Sequence, residues 1–587
     1  MTEKDGGQEH RDHAPAPAYP KPAYWLAILG LLIILCGGAL AHFIRSADGV
    51  SVEDIRFSGT DGKTMSALLY VPQGATRENP APGILAVHGY INSRETQDGF
   101  AIEFARRGYV VLSLDQTGHG YSDGPAFSNG FGGPDGLRYL RALPMVDKNN
   151  IGLEGHSMGG WTILAAAAEM PDAYKSMVLQ GSSTGAPFAQ EGSPQWPRNL
   201  ALVFSRYDEF SKIMWGMDRA VDTPQSPKLQ VVFGTQSTIN EGKLYGSIAD
   251  GTARVLHQPG TTHPGNHFSR ESIDKASDWF AKTLEGGTPR PASDQIWYWK
   301  EFGTGIGLIG FVMLMLGVFD ILIRAKPFAA IRNTPSQTTI SPTPISRDRK
   351  WWRMFALSTA LPALIFFPAF IAAGLGLPAS SILPQAVTTQ VMVWALLSAG
   401  LTLLLNRFGP ATTSSRSASW LHSIVIAVLS VAAAYLALRL VDRLFHTDLR
   451  LWVVAIKWPS LSQWGIAAIY VIPLTAAFLV TLRPLTGYFL VDGDSNRRRY
   501  ATGIALLASG FAILLGTIYG IFFATGVLIT SLDPLSTVIA LQFVPMLTAM
   551  AIITIFCWHR TGSHRPGALI AGIFVTLYVV AGTATQV

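Results

Sequence analysis

The stretch that decides the fold is Ile151-Gly152-Leu153-Glu154-Gly155-His156-Ser157-Met158-Gly159-Gly160. A short run with strand character leads into Gly-x-Ser-x-Gly, and an apolar helical stretch over 158–169 follows at once. A strand that turns this sharply into a helix lifts the middle serine above the sheet edge. The turn leaves no room for side chains at its flanks, so glycine is required at 155 and 159. The N-terminus of the following helix helps to hold negative charge. Ser157 therefore reads as an exposed nucleophile.

Outward from this motif, residues 50–285 alternate short β-branched runs with helical patterns. Ile84–Val87, Val110–Leu114, Ile151–Glu154 and Met177–Leu179 read as strands, and Phe100–Arg107 and Trp161–Glu169 as helices. That alternation predicts an α/β domain, a mostly parallel sheet with helices on both faces. Two further stretches follow strand ends. His88-Gly89-Tyr90 comes after 83–87, and Asp115-Gln116-Thr117-Gly118-His119-Gly120-Tyr121-Ser122 comes after 110–114. His88 reads as a brace for its loop and Asp115 as an orderer of its own.

With Gly155–Gly160, these stretches make residues 50–285 resemble the α/β-hydrolase superfamily, similar to its serine-aminopeptidase-like and esterase-like members. The resemblance is specific for fold and mechanism and poorly specific for substrate. It implies an oxyanion hole from the backbone amides of Tyr90 and Met158. It also implies the chain order serine, acid, histidine, which sets Asp115 aside as the acid. For the acid, Leu200–Ser205 reads as a strand with Asp208 three residues beyond it. A rival strand, Leu229–Gly234, is followed by Thr235-Gln236-Ser237, with Glu241 further on. Asp208 is favoured. For the base, the last strand is Ala253–His257, and His263 follows Pro259 at the usual offset. His267 is the alternative base, and His257 reads as packing. No metal is expected, because the loop holding His263 and His267 has no nearby carboxylate or Cys. No cofactor is expected either.

Composition carries the rest. The chain has 587 residues, of which 49% are hydrophobic and only 14% charged, against about 25% charged in soluble domains. Disorder, collagen-like repeats and an ordinary cytosolic protein are excluded. Residues 1–300 hold 26 Lys+Arg and 31 Asp+Glu, a balance of −5; residues 301–587 hold 19 and 8, a balance of +11. The basic residues lie between apolar stretches, which is not the clustered footprint of a nucleic-acid binder. Cys36 and Cys557 both lie in apolar segments and read as small buried residues, outside any disulfide or zinc framework.

Residues 1–23, with Pro15, Pro17, Pro20 and Pro22, read as a disordered cytoplasmic tail. Residues 24–45 read as a retained signal anchor, 286–302 as a linker and 303–587 as a membrane domain of eight spans. The spans lie near 303–323, 354–377, 386–405, 421–441, 464–482, 501–524, 536–558 and 568–584, about nine in all with the anchor. Leu449–Lys457 reads as an interfacial segment. Fifteen basic residues fall in the loops of one side: Arg324, Lys326, Arg332, Arg347, Arg349, Lys350, Arg353, Arg407, Arg416, Arg483, Arg497, Arg498, Arg499, Arg560 and Arg565. The other side has four, Arg439, Arg443, Arg450 and Lys457. The positive-inside rule then places the α/β domain outside the cytoplasm and the N-terminus inside, in a bacterial-type inner or plasma membrane. Gly374, Gly400, Gly510, Gly516 and Gly520 read as helix-packing positions. Few ionisable groups fall in mid-span and no internal repeat is evident, which disfavours an ion-coupled transporter.

The sequence thus leads to a membrane-bound, extracytoplasmic serine hydrolase of carboxylic esters, working through Ser157, His263 and Asp208 and an acyl-enzyme. Its partners are the lipid bilayer and a small or lipid-like acyl substrate. Two alternatives stay open: a peptidase or amidase with the same residues, and a transporter or sensor whose hydrolase-like domain binds a ligand. The oligomeric state is left open.

Overall fold

The computed structural model describes residues 21–332, 346–408, 418–491 and 493–587. Most of the expected tail, and Arg416 of the charge count, lie outside the described residues.

Eight strands form one sheet: β1 (Ser51–Ser58), β2 (Thr64–Val71), β3 (Ala81–Val87), β4 (Val110–Asp115), β5 (Val146–His156), β6 (Ser176–Gln180), β7 (Leu200–Val203) and β8 (Arg254–His257). Their order is β1-β2-β4-β3-β5-β6-β7-β8. β1, β2 and β4 pair antiparallel, and every pairing from β4 to β8 is parallel. Parallel strands are covered on both faces, which is why 84–87 and 110–114 are unbroken apolar runs. The covering helices are α2 (Asp98–Arg106), α3 (Gly133–Ala142), α4 (Met158–Glu169), the short α5 (Ser211–Trp215) and α6 (Pro227–Phe233), and α7 (Arg270–Thr283). An earlier helix, α1 (Trp25–Arg45), precedes the sheet.

The sequence places a rival strand at Leu229–Gly234, and the structure makes it helix α6. Pro227 sits in the first turn, Ser226 Oγ accepts from the Leu229 amide at 3.4 Å, and Gly234 closes the helix at φ 63°. Those start and stop groups outweigh the β-branched pair Val231-Val232. The stretch before it is core, since Met214 and Trp215 are buried against the sheet.

Beyond the α/β part, α8 (Trp297–Arg324) starts inside the expected 286–302 linker. Next come α9 (Arg349–Leu364), α10 (Phe366–Gly376), α11 (Ala386–Phe408), α12 (Trp420–Phe445), α13 (Leu461–Thr481), α14 (Asn496–Thr525), α15 (Pro534–Ala540), α16 (Phe543–Thr561) and α17 (Arg565–Ala581). Taking α9–α10 and α15–α16 as single runs, and α13 with its continuation to Phe489, 8 helices among the described residues are long and apolar enough to cross a membrane by length and composition. The ninth expected span corresponds to α17, 17 residues long and almost wholly buried against α12, α13 and α16. Just past it, the Thr585 amide donates to Gly118 O at 2.8 Å, and the Ala126 amide donates to Thr585 O at 2.7 Å. α17 therefore ends where α8 begins, beside the sheet domain, and an even number of crossings must lie between those points.

α1 packs along α8 through glycines. A Cβ on Gly37 would fall 2.3 Å from Gly303 O, and one on Gly30 would fall 2.7 Å from Gly310 O. This is close small-residue packing, at positions other than those expected. Of the five expected glycines only Gly510 meets backbone, 2.1 Å from Thr359 O; Gly400, Gly516 and Gly520 face open space, and Gly374 meets only the Gln390 side chain. Cys36 is exposed on the outer face of α1, against the expectation of burial, while Cys557 is buried.

The two parts are docked through buried charge. Asp98, at the start of α2, pairs with Arg45 at the end of α1 and with Lys300 of α8 at 2.7 Å, and accepts from Tyr70 OH at 2.6 Å. The expected interfacial segment is a hairpin, β9 (Leu449–Leu451) and β10 (Val454–Ile456). Its Lys457 reaches both oxygens of Glu95 at 2.7 and 2.8 Å. Arg450 donates to Thr96 Oγ1 at 2.7 Å and Ser93 Oγ at 3.0 Å. All of these charges are buried. At the opposite end of the bundle, Asp320 accepts from the Ala23 amide at 2.8 Å and pairs with Arg324 at 3.0 Å and with Arg560.

Two outcomes follow from this architecture. A reporter fused after Val587 is expected on the same side of the membrane as residues 50–285, whose side is read by protease protection; opposite sides would mean that α17 does not cross. Asp98→Ala strands two buried cations and is expected to cost about 3–5 kcal/mol, read as a lowered midpoint of thermal unfolding of the full chain. An unchanged midpoint would show that the docking contacts do not support the fold.

Candidate active site

β5 ends at His156, and α4 starts at Met158. Ser157 between them stands at φ 55° and ψ −121°. A non-glycine residue held there is strained by about 1–3 kcal/mol, and such strain gathers at functional sites. The flanking glycines are required by contact. A Cβ on Gly155 would meet Gly159 O at 2.3 Å, and one on Gly159 would meet Val87 O at 2.1 Å. The Ser157 amide donates to Gln180 O at 2.8 Å, which ties the turn to the end of β6. Ser157 Oγ has no hydrogen-bond partner among the described residues.

The amides of Tyr90 and Met158 donate to no group among the described residues. Tyr90 belongs to the loop after β3, and the Gly89 beside it packs on Ser157, with a built Cβ 3.1 Å from Ser157 Cβ. Two free amides near one serine side chain are what an oxyanion site needs. His88 braces this loop, since its Nε2 accepts from the Gln116 amide at 3.2 Å. Asp115 orders its own loop, accepting from the amides of Arg94 (2.8 Å) and Tyr121 (3.1 Å) and from Ser66 Oγ (2.8 Å).

Asp208 follows β7 and His263 follows β8. His263 Nδ1 lies 3.0 and 2.9 Å from the two Asp208 oxygens. Asp208 is fixed by the Phe210 amide, which donates to it at 2.9 Å. Burial pushes the Asp208 carboxyl up and the His263 ring down to about 3. Both shifts disfavour charge, so the imidazole is neutral, with Nδ1 occupied by Asp208 and Nε2 free to accept. His267 is placed differently. Neither of its ring nitrogens has a partner among the described residues, and its ring packs 4.1 Å from that of His156.

Several groups at the site are invisible in the motifs. His156, the variable residue of Gly-x-Ser-x-Gly, packs 4.6 Å from the His263 ring, and its Nε2 lies 2.9 Å from His263 O. Glu209, next to Asp208 in the chain, is buried. It accepts from the His263 amide at 2.7 Å and from Tyr519 OH of α14 at 2.8 Å. Burial, with the neighbouring Asp208 carboxylate, pushes Glu209 up to about 8. Trp452 of the β9–β10 hairpin donates to Pro264 O at 2.9 Å, and Gln586 bonds Tyr90 OH at 3.2 Å. The membrane part therefore touches the loops after β3, β4, β7 and β8 and covers the catalytic end of the sheet. These contacts come from segments far away along the chain, and no local pattern announces them. No cluster of three or more metal-ligating side chains occurs among the described residues.

Sheet order, elbow and loop positions define an α/β-hydrolase fold fused to a bundle of apolar helices. Residues 82–213 match the family described as alpha/beta hydrolase fold. Among curated proteins, the chain is 28% identical over 142 residues to a monoacylglycerol lipase of Mycolicibacterium smegmatis, covering 22% of this chain and 46% of that protein. It is 33% identical over 122 residues to the quorum-quenching protein AidA of Acinetobacter baumannii, covering 20% and 39%. The chain thus spans less than half the length of these relatives. Similar solved structures include a dienelactone hydrolase from Anabaena variabilis (19% identity, TM-score 0.28, 40% of this chain and 99% of that one). An S-formylglutathione hydrolase from Agrobacterium tumefaciens is similar at 14% identity and TM-score 0.30, over 40% and 97%.

Proposed function

We infer that residues 50–285 form a serine hydrolase that cleaves carboxylic esters, held against the membrane and facing away from the cytoplasm. The observation that carries this is the strained Ser157 elbow beside two free amides, with a buried Asp208–His263 pair on the loops after β7 and β8. Ser157 Oγ attacks the ester carbonyl while His263 Nε2 takes its proton. Asp208 holds the ring tautomer and stabilises the imidazolium that forms. The amides of Tyr90 and Met158 donate to the oxyanion. His263 then gives the proton to the leaving alcohol, and an acyl-serine remains. Water, deprotonated by the same ring, releases the acid and restores the serine.

An apolar substrate is favoured by the surroundings. Phe127, Phe131, Phe188 and Trp161 form one ring cluster that reaches Tyr90, with Phe127 and Tyr90 centroids 5.7 Å apart. The likeness to a monoacylglycerol lipase points the same way. The outward orientation is supported by the fifteen-to-four split of basic loop residues.

Ser157→Ala and His263→Ala in the full chain are each expected to lower kcat/KM on p-nitrophenyl esters by at least about a thousandfold, with Ser157→Ala also abolishing fluorophosphonate labelling. His267→Ala is expected to cost far less. Near-wild-type turnover in Ser157→Ala would remove the reading, and a larger loss in His267→Ala would reassign the base. The pH profile gives a separate check. His263 accepts a proton only when neutral, and burial holds its pKa far under the ordinary value of about 6.5. The neutral form therefore persists into acid, and the acid limb of kcat/KM is expected below pH ~6. A limb at or above the ordinary histidine value would show that the pairing with Asp208 outweighs burial at this ring.

A further inference from the structure

Between the loop after β3 and the bundle lies a partly open cavity of about 700 Å³, counting the part that opens outward. Its apolar wall is built by Val387, Val391, Ile539, Phe543, Met546 and Val579, from α11, α15, α16 and α17. All six are buried. Its lining also carries polar groups, among them Asn92, Ser93, Arg450 and Lys457.

One wall of the cavity belongs to the loop that packs on Ser157. Ile91 lines it, and Gly89 packs on Ser157. Consecutive Cα atoms are about 3.8 Å apart, so Gly89 and Ile91 Cα are at most about 7.6 Å apart. Ile91 is held at φ 57°, an outlier for a β-branched residue. Strain of this kind next to a proposed oxyanion donor marks a wall shaped for a ligand.

A second observation concerns the polar lining. Arg450 is 4% exposed and lines the cavity, and its Nε has no partner among the described residues. Its other nitrogens are committed to Thr96, Ser93 and, at 2.9 Å, Asp448. A buried guanidinium N–H left without an acceptor is costly, and such a group signals an oxygen that belongs there. A cavity whose lining combines an apolar wall from four helices with a free cationic donor has the mixed polarity of an acyl lipid, a hydrocarbon tail joined to ester-level oxygens.

We propose that this cavity is the acyl-chain site of the enzyme, and that the substrate is a long-chain ester drawn from the bilayer. The tail lies among α11, α15, α16 and α17, and an ester-level oxygen accepts from Arg450 Nε. The proposal rests on the serine-hydrolase reading and names its substrate class. The membrane domain then supplies the half of the binding site that the sheet domain lacks. The competing place for a chain is the ring cluster on the other side of Tyr90, where Phe127 and Phe188 are 40% and 50% exposed.

The test uses the full chain in lipid nanodiscs and a fluorophosphonate with a long alkyl chain ending in a diazirine. After the probe has reacted with Ser157, irradiation is expected to crosslink its tail to peptides of α11, α16 or α17. Crosslinks confined to residues 120–190 would overturn the proposal. A wild-type chain that fails to react with any fluorophosphonate would instead remove the hydrolase reading itself. Val391→Phe and Val579→Phe narrow the cavity from two helices. In each, the ratio of kcat/KM on p-nitrophenyl palmitate to that on p-nitrophenyl acetate is expected to fall by at least about tenfold. Val391→Leu gives a milder filling should either phenylalanine variant fail to label. A wild-type ratio in variants that label normally would also overturn the proposal.

Discussion

The structure hangs on two buried carboxylates. Asp98 and Glu95 stand a few residues past the loop of Tyr90, at the catalytic end of the sheet. Each is neutralised by cations from the membrane part: Arg45 and Lys300 for Asp98, Lys457 for Glu95. Ion pairs removed from water add little stability over an apolar packing of the same shape, but breaking one partner is severely unfavourable. Their effect is one of orientation. They tie the sheet domain to the bundle with the strand ends turned toward the helices. The chain segments that carry Ser157, Asp208 and His263 all open on the same side. The docking decides what surrounds them.

The surroundings explain the state of the catalytic groups. With hairpin, α14 and the segment after α17 over the site, the loops are shielded from solvent on several sides. Burial then disfavours charge on Asp208, Glu209, His156, His263 and His267 alike. A neutral imidazole is the form that accepts a proton, so burial keeps His263 in the state its proposed role requires. Glu209 extends the arrangement, joining the backbone of His263 to Tyr519 in the bundle.

How much of this was legible in the sequence depends on distance along the chain. The elbow was legible because its physics is local: two glycines, a serine and a helix start within six residues. The strands at 84–87 and 110–114 were legible because a doubly covered sheet demands unbroken apolar runs. Asp208 and His263 could be placed by their offsets from strand ends, and the geometry joins those two residues by a hydrogen bond. Leu229–Gly234 was misread because Pro227 and Gly234 act on the backbone more strongly than β-branching does. The packing glycines were misassigned because a glycine in an apolar run looks the same whether it meets a helix or lipid. The contacts of Arg450, Trp452, Tyr519 and Gln586 were out of reach, because each joins segments at least 188 residues apart with no motif of its own.

Under the acyl-site proposal, the turning of the Ser157 face toward the bundle also changes what concentration means for this molecule. A site that opens to water samples its substrate per unit volume. A site fed through a channel among membrane helices samples it per unit area, as a mole fraction of the lipids around it. Adding inert lipid then slows turnover at constant bulk substrate, and two-dimensional diffusion takes the place of encounter in solution.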